Sequence, residues 1–98
     1  MNTMTFTTAG DGFWGCEEGR TVTLHSFSVD YYLDEDYNEV PADHPGAEIG
    51  HVTVLHDSDW DVYTDSAFEE AARRFTGIAN LTFTEQGMQE PGRASMEV

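Results

Sequence analysis

Apolar and polar residues alternate along much of the chain, which is the pattern of β-strands that bury one face. Four runs show it clearly, at residues 4–8, 20–33, 48–56 and 80–85. The run 20–33 is rich in β-branched and aromatic residues and is long enough to cross a small sheet. Residues 60–63 are predicted to be a short strand or an extended lead-in. Residues 94–98 either pair as a last short strand or fray.

The alternation changes phase within the run 20–33. Val22 and Leu24 fall on one face, whereas Phe27, Val29 and Tyr31 fall on the other. A β-bulge at residues 25–26 would turn both sets toward one core, because one extra residue shifts the pattern by one position. The alternative is that both faces of this strand are partly covered.

One helix is predicted after residue 65. Ser66 and Glu69 fit a capping box, with Ser66 as the N-cap. Acidic residues in the first turn and arginines near the end match the helix dipole, and Gly77 is placed to end the helix. The predicted buried stripe has the spacing of one helix face: Phe68, Ala71, Ala72 and Phe75.

The remaining segments indicate loops and turns. Residues 9–19 contain four glycines but no following Lys-Ser/Thr, so we expect a structural loop and not a phosphate site. Residues 34–47 are polar and acidic and are predicted to be a surface loop, and residues 90–93 have the sequence of a type II turn. The chain is therefore predicted to be one α+β domain over residues 1–98, a mostly antiparallel sheet of four to six short strands with one helix packed on it.

The excess of acidic residues limits the classes of partner that the protein can bind. Nineteen acids face four arginines and no lysine, and the net charge is −15. This balance excludes direct binding to nucleic-acid phosphates and to anionic membranes, both of which need clustered cations. The partners that remain are basic proteins and metal cations, unless the charge serves only solubility. Adaptation to a salt-rich cell is an alternative explanation of the acidity.

The single cysteine and the lack of a recognisable signal peptide predict a cytoplasmic protein. Cys16 is alone, so neither an internal disulfide nor a Cys-pair zinc site is expected. The first residues lack the features of a signal peptide, and no stretch has the apolar length of a membrane span. If the protein is encoded by a phage, this is the cytoplasm of the host cell.

The spacing Asp57-x-Asp59-x-Asp61 matches the beginning of an EF-hand calcium loop. Val62 stands where that loop needs glycine, and Phe68 stands where it needs a bidentate glutamate. A strand also precedes the motif where a helix is required. We therefore predict no EF-hand, and weak divalent-cation binding stays as an alternative.

No pattern in the chain indicates catalysis. The four histidines are scattered, and an offset of five along a strand places His51 and His56 on opposite faces. Acids are too widespread to single out a glycosidase-type carboxylate pair. We predict a protein that is not an enzyme and that has neither a cofactor nor a defined metal site.

The acids cluster in two runs. Residues 30–39 and 57–70 hold 11 of the 19 acids and no basic residue. If residues 57–61 are extended, alternate carboxylates lie about 6.6 Å apart on one face, regularly spaced like phosphates along a nucleic-acid strand, while Trp60 and Val62 anchor the row to the core. The tyrosines of the first run would add interface contacts. The residues predicted to touch a partner are Asp30, Tyr31, Tyr32, Asp34, Glu35, Asp36, Tyr37, Glu39, Asp57, Asp59, Asp61, Asp65, Glu69 and Glu70.

In size, charge and α+β character, the whole chain resembles the small acidic inhibitors that phages and mobile elements make against host defences. These are the anti-CRISPR and anti-restriction proteins, some of which mimic DNA. The resemblance implies a non-enzymatic inhibitor, a monomer or weak dimer, that blocks a Lys/Arg-lined nucleic-acid site, such as the channel of a CRISPR surveillance complex. The alternatives are an acidic structural or accessory domain adapted to high salt and a weak divalent-cation-binding module.

Overall fold

A computed structural model of the chain, which describes residues 2–12, 17–59, 62, 64–84 and 90–98, has one sheet and one helix in these ranges. The strand order is β1-β2-β4-β6-β5, with β3 beside β2, and every pairing is antiparallel. The predicted α+β class and antiparallel sheet are confirmed. The elements are β1 (Met4–Thr7), β2 (Thr21–Leu33), β3 (Glu39–Val40), β4 (Glu48–His56), α1 (Ser66–Thr76), β5 (Thr82–Phe83) and β6 (Arg93–Glu97).

The strands differ from the sequence prediction in length and in place. β2 has 13 residues and β4 has nine, so the two central strands are not short. β6 does not fray: it lies between β4 and β5, and its Ala94 and Met96 are fully buried. The strand predicted at 80–85 is reduced to the two residues of β5, and residue 85 lies outside the described ranges.

Two bulges set the faces of β2. Leu24 pairs with His56 and Ser26 with Leu55, so the residue between them is the predicted bulge, which is confirmed. The shift places Phe27 and Val29 opposite Val54 and Val52, the two buried valines of β4, on the face that the helix covers.

A second bulge, at Asp30, was not predicted. It brings Tyr31 into register with His51, on the face away from the core, and the two rings stack with centroids 5.6 Å apart. The prediction that Tyr31 shares a face with Phe27 and Val29 is therefore wrong, because the second extra residue reverses the alternation again.

Phe68 of α1 is the centre of the core. Its buried ring makes edge-to-face contacts with Phe6 of β1 at 5.6 Å and with His56 of β4 at 5.2 Å, and it lies 5.9 Å from Phe83 of β5. One helical side chain thus contacts three strands. The predicted buried stripe is confirmed for Phe68, Ala71 and Ala72, whereas Phe75 is only partly buried. The fully or nearly fully buried apolar residues are Val22, Leu24, Val52, Val54, Val62, Phe68, Ala71, Ala72, Leu81, Ala94 and Met96.

Both ends of α1 are capped. The C-terminal cap is the predicted residue, and the N-terminal cap is a different one. The N-cap is Asp65 and not Ser66: Asp65 has an extended backbone, and its Oδ1 accepts from the N–H of Ala67 at 3.0 Å. The N–H of Ser66 donates instead to Oδ1 of Asp11 at 2.9 Å. Gly77 ends the helix with φ 75°, and its N–H donates to the carbonyl of Arg73, as predicted.

Candidate functional site

The first acidic run leads into one end of the sheet, where β2 ends, β3 follows and β4 begins. We call residues 34–48 the acidic tip. Its six acids are Asp34, Glu35, Asp36, Glu39, Asp43 and Glu48. The prediction of a surface loop over 34–47 is wrong in part, because β3 lies within it and pairs with Tyr32 and Leu33. All six side chains are exposed or half-buried.

Asp34 builds the turn that carries the tip. Its Oδ1 accepts from the backbone N–H groups of Asp36 and Asn38, both at 2.9 Å, and these bonds reverse the chain from β2 into β3. The N–H of Asn38 above all, helped by that of Asp36, lowers the pKa of Asp34 below its usual value. Asp34 therefore has a structural task, and the acids that follow it are the ones presented outward.

The turn projects an aromatic residue as well. Tyr37 has a left-handed backbone with φ 63° and is 83% exposed, which makes it the most exposed large hydrophobic side chain among the described residues. A non-glycine residue in this conformation is held at a cost of about 1 kcal/mol by its surroundings. The conformation of the turn thus holds the Tyr37 side chain in solvent.

A shallow depression of about 390 Å³ lies at the tip, between the β2–β3 turn and the beginning of β4. Four carboxylates line it, from Asp34, Glu35, Asp36 and Glu48, together with the ring of His44. The concave surface is acidic and open to solvent.

The ridge predicted over 57–61 falls partly outside the described residues. Asp57 Oδ1 accepts from the N–H of Thr23 at 2.8 Å, which ties β4 to β2. The N–H of Val62 donates to the carbonyl of Asp59, and neither of these two residues belongs to a strand. Val62 is fully buried, as predicted, whereas Trp60, Asp61 and the rest of the predicted lead-in lie outside the described residues.

Asp65 cannot contact a partner, because its side chain is completely buried. Besides capping α1, its carboxylate accepts from the N–H of Ala9 (3.0 Å to Oδ1 and 3.1 Å to Oδ2) and from that of Gly10 at 2.8 Å. The prediction that Asp65 belongs to the acidic surface is wrong: it is an internal connection between the loop after β1 and the helix.

Glu69 and Glu70 form ion pairs within the helix. Oε1 of Glu69 lies 2.8 Å from Nη2 of Arg73, and Oε1 of Glu70 lies 3.2 Å from Nη2 of Arg74. Each arginine is one helical turn after its glutamate. Pairs of this kind on an exposed helix contribute a few tenths of a kcal/mol. Their charge is largely compensated locally, which removes them from an uncompensated acidic surface.

The two acidic runs end up far apart. The tip adjoins Glu48 at one end of β4, and Asp57 follows His56 at the other end. Nine residues of strand separate these ends by about 26 Å, at roughly 3.3 Å per residue. The predicted residues of 30–39 and those of 57–70 therefore do not form one surface.

All four arginines lie outside the tip. Arg73 and Arg74 are in α1, Arg20 Nη2 donates to Ser58 Oγ at 2.8 Å, and Arg93 is paired opposite Leu55, near the far end of β4. The sequence between 34 and 48 contains no arginine and no lysine. The arginines thus lie on the helix and toward the far end of the sheet, and the six acids of the tip have no arginine among them.

Asp30 lies beside the tip, in a cluster that sequence reasoning missed. Its Oδ2 is 2.5 Å from His51 Nδ1 and accepts from Thr53 Oγ1 at 2.7 Å, and Tyr31 stacks on the His51 ring. The bulge at Asp30 brings these side chains together on the outer face of the sheet. The sequence signal that bears on this cluster is the alternation of apolar and polar residues in β2. Its change of phase predicts the first bulge, near His25, but not the second, at Asp30.

His56 is on the opposite face from His51, as predicted. It is 5% exposed, it contacts Phe68, and its Nδ1 accepts from the N–H of Ser58 at 3.1 Å. Burial lowers the pKa of His56 to about 4, against the smaller opposing effect of Asp57. It is a neutral residue of the core edge.

The described residues contain no group of three or more His, Cys, Asp or Glu side chains that could hold a metal ion. Nor does this part of the chain have a helix with the length and apolar character to cross a membrane. No protein-family model, curated protein or solved structure matches the chain.

Proposed function

We propose that the protein is a non-enzymatic inhibitor that inserts its acidic tip into a Lys/Arg-lined nucleic-acid site of a host defence complex, such as a CRISPR surveillance complex. The carboxylates of the tip take the place of phosphates. The protein acts by occupying the site, so it needs neither a cofactor nor a reaction. Such an inhibitor is of the kind that phages and mobile elements encode.

The separation of charge supports this proposal. The tip holds six acids within 15 residues and no arginine, while all four arginines lie on other elements. Two acids of the second run, Glu69 and Glu70, are paired with arginines, and Asp65 is buried. At the tip, therefore, a basic partner would meet six acids with no arginine among them.

Such a surface favours rapid association. Complementary charge raises the association rate by steering, and salt weakens the effect because the screening length is only about 10 Å at 0.1 M. Tyr37, which the turn holds in solvent, supplies an aromatic side chain of the type that dominates interface energetics. Binding through the tip is thus expected to depend steeply on salt and to need Tyr37.

Competition with DNA tests the proposal. Purified CRISPR surveillance complexes holding labelled duplex DNA are titrated with the protein at about 50 mM salt, where screening is weak. The tip variant is Glu35→Lys with Asp43→Lys. The control is Glu18→Lys with Asp59→Lys, which makes the same charge change on exposed residues near the beginning of β2 and the far end of β4.

The expected result is displacement of DNA from at least one complex. The tip variant should need at least about tenfold more protein, which corresponds to 1.4 kcal/mol, and the control should behave nearly as the wild type. Failure to displace DNA from any complex at low salt would overturn the proposal. Equal losses in the two variants would also overturn it, because net charge and not the tip would then be responsible.

A further inference from the structure

One edge of β2 is covered at both ends and open in the middle. Leu24 pairs with β1 on one side and β4 on the other, and Tyr32 does the same with β3 and β4. Because β4 is continuous, β1 and β3 must lie on the same edge of β2. Between them, residues 25–31 have no strand partner on that edge among the described residues. We call this gap the β2 slot.

Proline explains why β3 stops where the slot begins. Pro41 directly follows β3, and it has no N–H to donate to a continuing ladder. The chain then turns away, with the N–H of His44 donating to the carbonyl of Pro41 and that of Ala47 to the carbonyl of His44. On the other side β1 begins only at Met4, opposite Leu24. The slot is about 23 Å long, at roughly 3.3 Å for each residue.

The two faces of the slot differ in chemistry. On the helix side, Phe27 is 40% exposed although its ring contacts Phe75 at 5.8 Å. On the outer face lies Asp30, held by His51 and Thr53 of β4. An added strand would therefore meet an apolar side chain on one face and a carboxylate on the other.

A short free segment fits the slot, and the β2 strand of a second copy does not. Any strand longer than the slot would collide with β1 at one end or β3 at the other. A segment antiparallel to β2 would run in the same direction as both flanking strands. Since side chains alternate between the faces of a strand, apolar residues would contact Phe27 and basic residues would face Asp30 and the nearby tip.

We propose that the β2 slot takes up an extended segment of the basic partner, with alternating apolar and Lys/Arg residues, as an added strand between β1 and β3. This rests on the proposed function for the nature of the partner. The main-chain hydrogen bonds give the contact its geometry, and the alternation gives its specificity, as in other cases of strand addition.

A synthetic peptide tests the slot directly. The probe is a fluorescein-labelled hexapeptide of alternating lysine and valine, and binding is followed by fluorescence anisotropy. Its matched control has the same side chains but is N-methylated on the alternate residues whose N–H groups would face β2. The control therefore lacks the hydrogen-bond donors of the edge that would pair with β2. We expect N-methylation to weaken binding at least about tenfold, because the ladder is lost while the charge is kept. Amide exchange at 25–31 should slow by about tenfold or more when the parent peptide is bound.

Equal binding of the two peptides would overturn the inference, since charge alone would then hold them. Protection confined to 34–48 would do the same, and so would concentration-dependent protection of 25–31 without peptide, which would mean that a second copy occupies the slot. The outcomes separate the two proposals. Peptide uptake without DNA displacement refutes the inhibitor and keeps the slot, whereas displacement without strand addition does the reverse.

Discussion

Replacing Asp65 with alanine should destabilise the protein strongly, although it removes one of many acids. The carboxylate is fully buried and caps α1 through the N–H of Ala67. It also accepts from the N–H groups of Ala9 and Gly10. Loss of an N-cap costs about 1 kcal/mol. Each lost bond to a charged acceptor costs up to about 3 kcal/mol, but Ala9 and Gly10 are exposed and regain water, so about 1 kcal/mol each is expected.

The expected total for Asp65→Ala is about 3 kcal/mol, which lowers the melting temperature of a domain of this size by roughly 12–24 °C. Asp65→Asn should lose about half as much, because Oδ1 still caps Ala67 while an amide N–H₂ faces the donor of Gly10. Urea unfolding at pH 7, followed by circular dichroism, measures both differences.

Asp59→Ala is the control for charge. Asp59 is exposed, and its removal changes the net charge by the same amount. Surface substitutions of this kind normally shift stability by at most about 0.5 kcal/mol. If Asp65→Ala unfolds within that margin of Asp59→Ala, then Asp65 does not connect the loop to the helix, and its assignment as an internal residue is wrong.

Two further predictions concern the sheet. The folded pKa of His56, about 4, lies below the usual 6.5, so its stabilising contribution is complete above pH 6.5 and is lost as the pH falls toward 4. Between pH 7.5 and pH 5 this amounts to about 2 kcal/mol. His56→Asn, which keeps an acceptor for Ser58, should lack that component in urea unfolding, and identical pH profiles would contradict the assignment. Gly50→Ala should cost about 1–3 kcal/mol, because its Cβ would meet Tyr31 at 2.7 Å and Leu33 at 2.8 Å. Gly46→Ala gives the backbone cost alone: Gly46 has φ 79° and open space around it, so about 1 kcal/mol is expected there, and a loss at Gly50, which has no positive φ, of less than about 1 kcal/mol would refute the packing argument.

Local patterns predicted the parts of the fold that local chemistry decides. The phase change in β2 could be reconciled with one core only by an extra residue near His25, and the bulge is there. Gly77 follows the last buried turn of α1, where a left-handed residue is needed, and it has φ 75°. The strand at 48–56 is the nine-residue β4, with Val52 and Val54 buried together.

Distant partners decided the rest. Asp65 and Ser66 are both good N-caps, and the choice between them depends on Ala9, Gly10 and Asp11, more than fifty residues away. In the sequence Asp65 appears as one more surface acid. The place of β6 between β4 and β5 also depends on pairings that no local pattern contains.

Where the acids lie separates a binding surface from adaptation to salt. A protein adapted to salt needs carboxylates on all faces to keep it soluble, and its fold weakens in dilute buffer through self-repulsion. Here the acids of the helix are paired with arginines, Asp65 and Asp57 hold backbone N–H groups, and the uncompensated charge of the tip lies on a turn that Asp34 orders. The fold should therefore be stable at low salt, with an unfolding midpoint that changes little when molar KCl is added, whereas association with a basic partner should weaken steeply. An unfolding midpoint that rises strongly with KCl would contradict this prediction and would support adaptation to salt as the reason for the acidity.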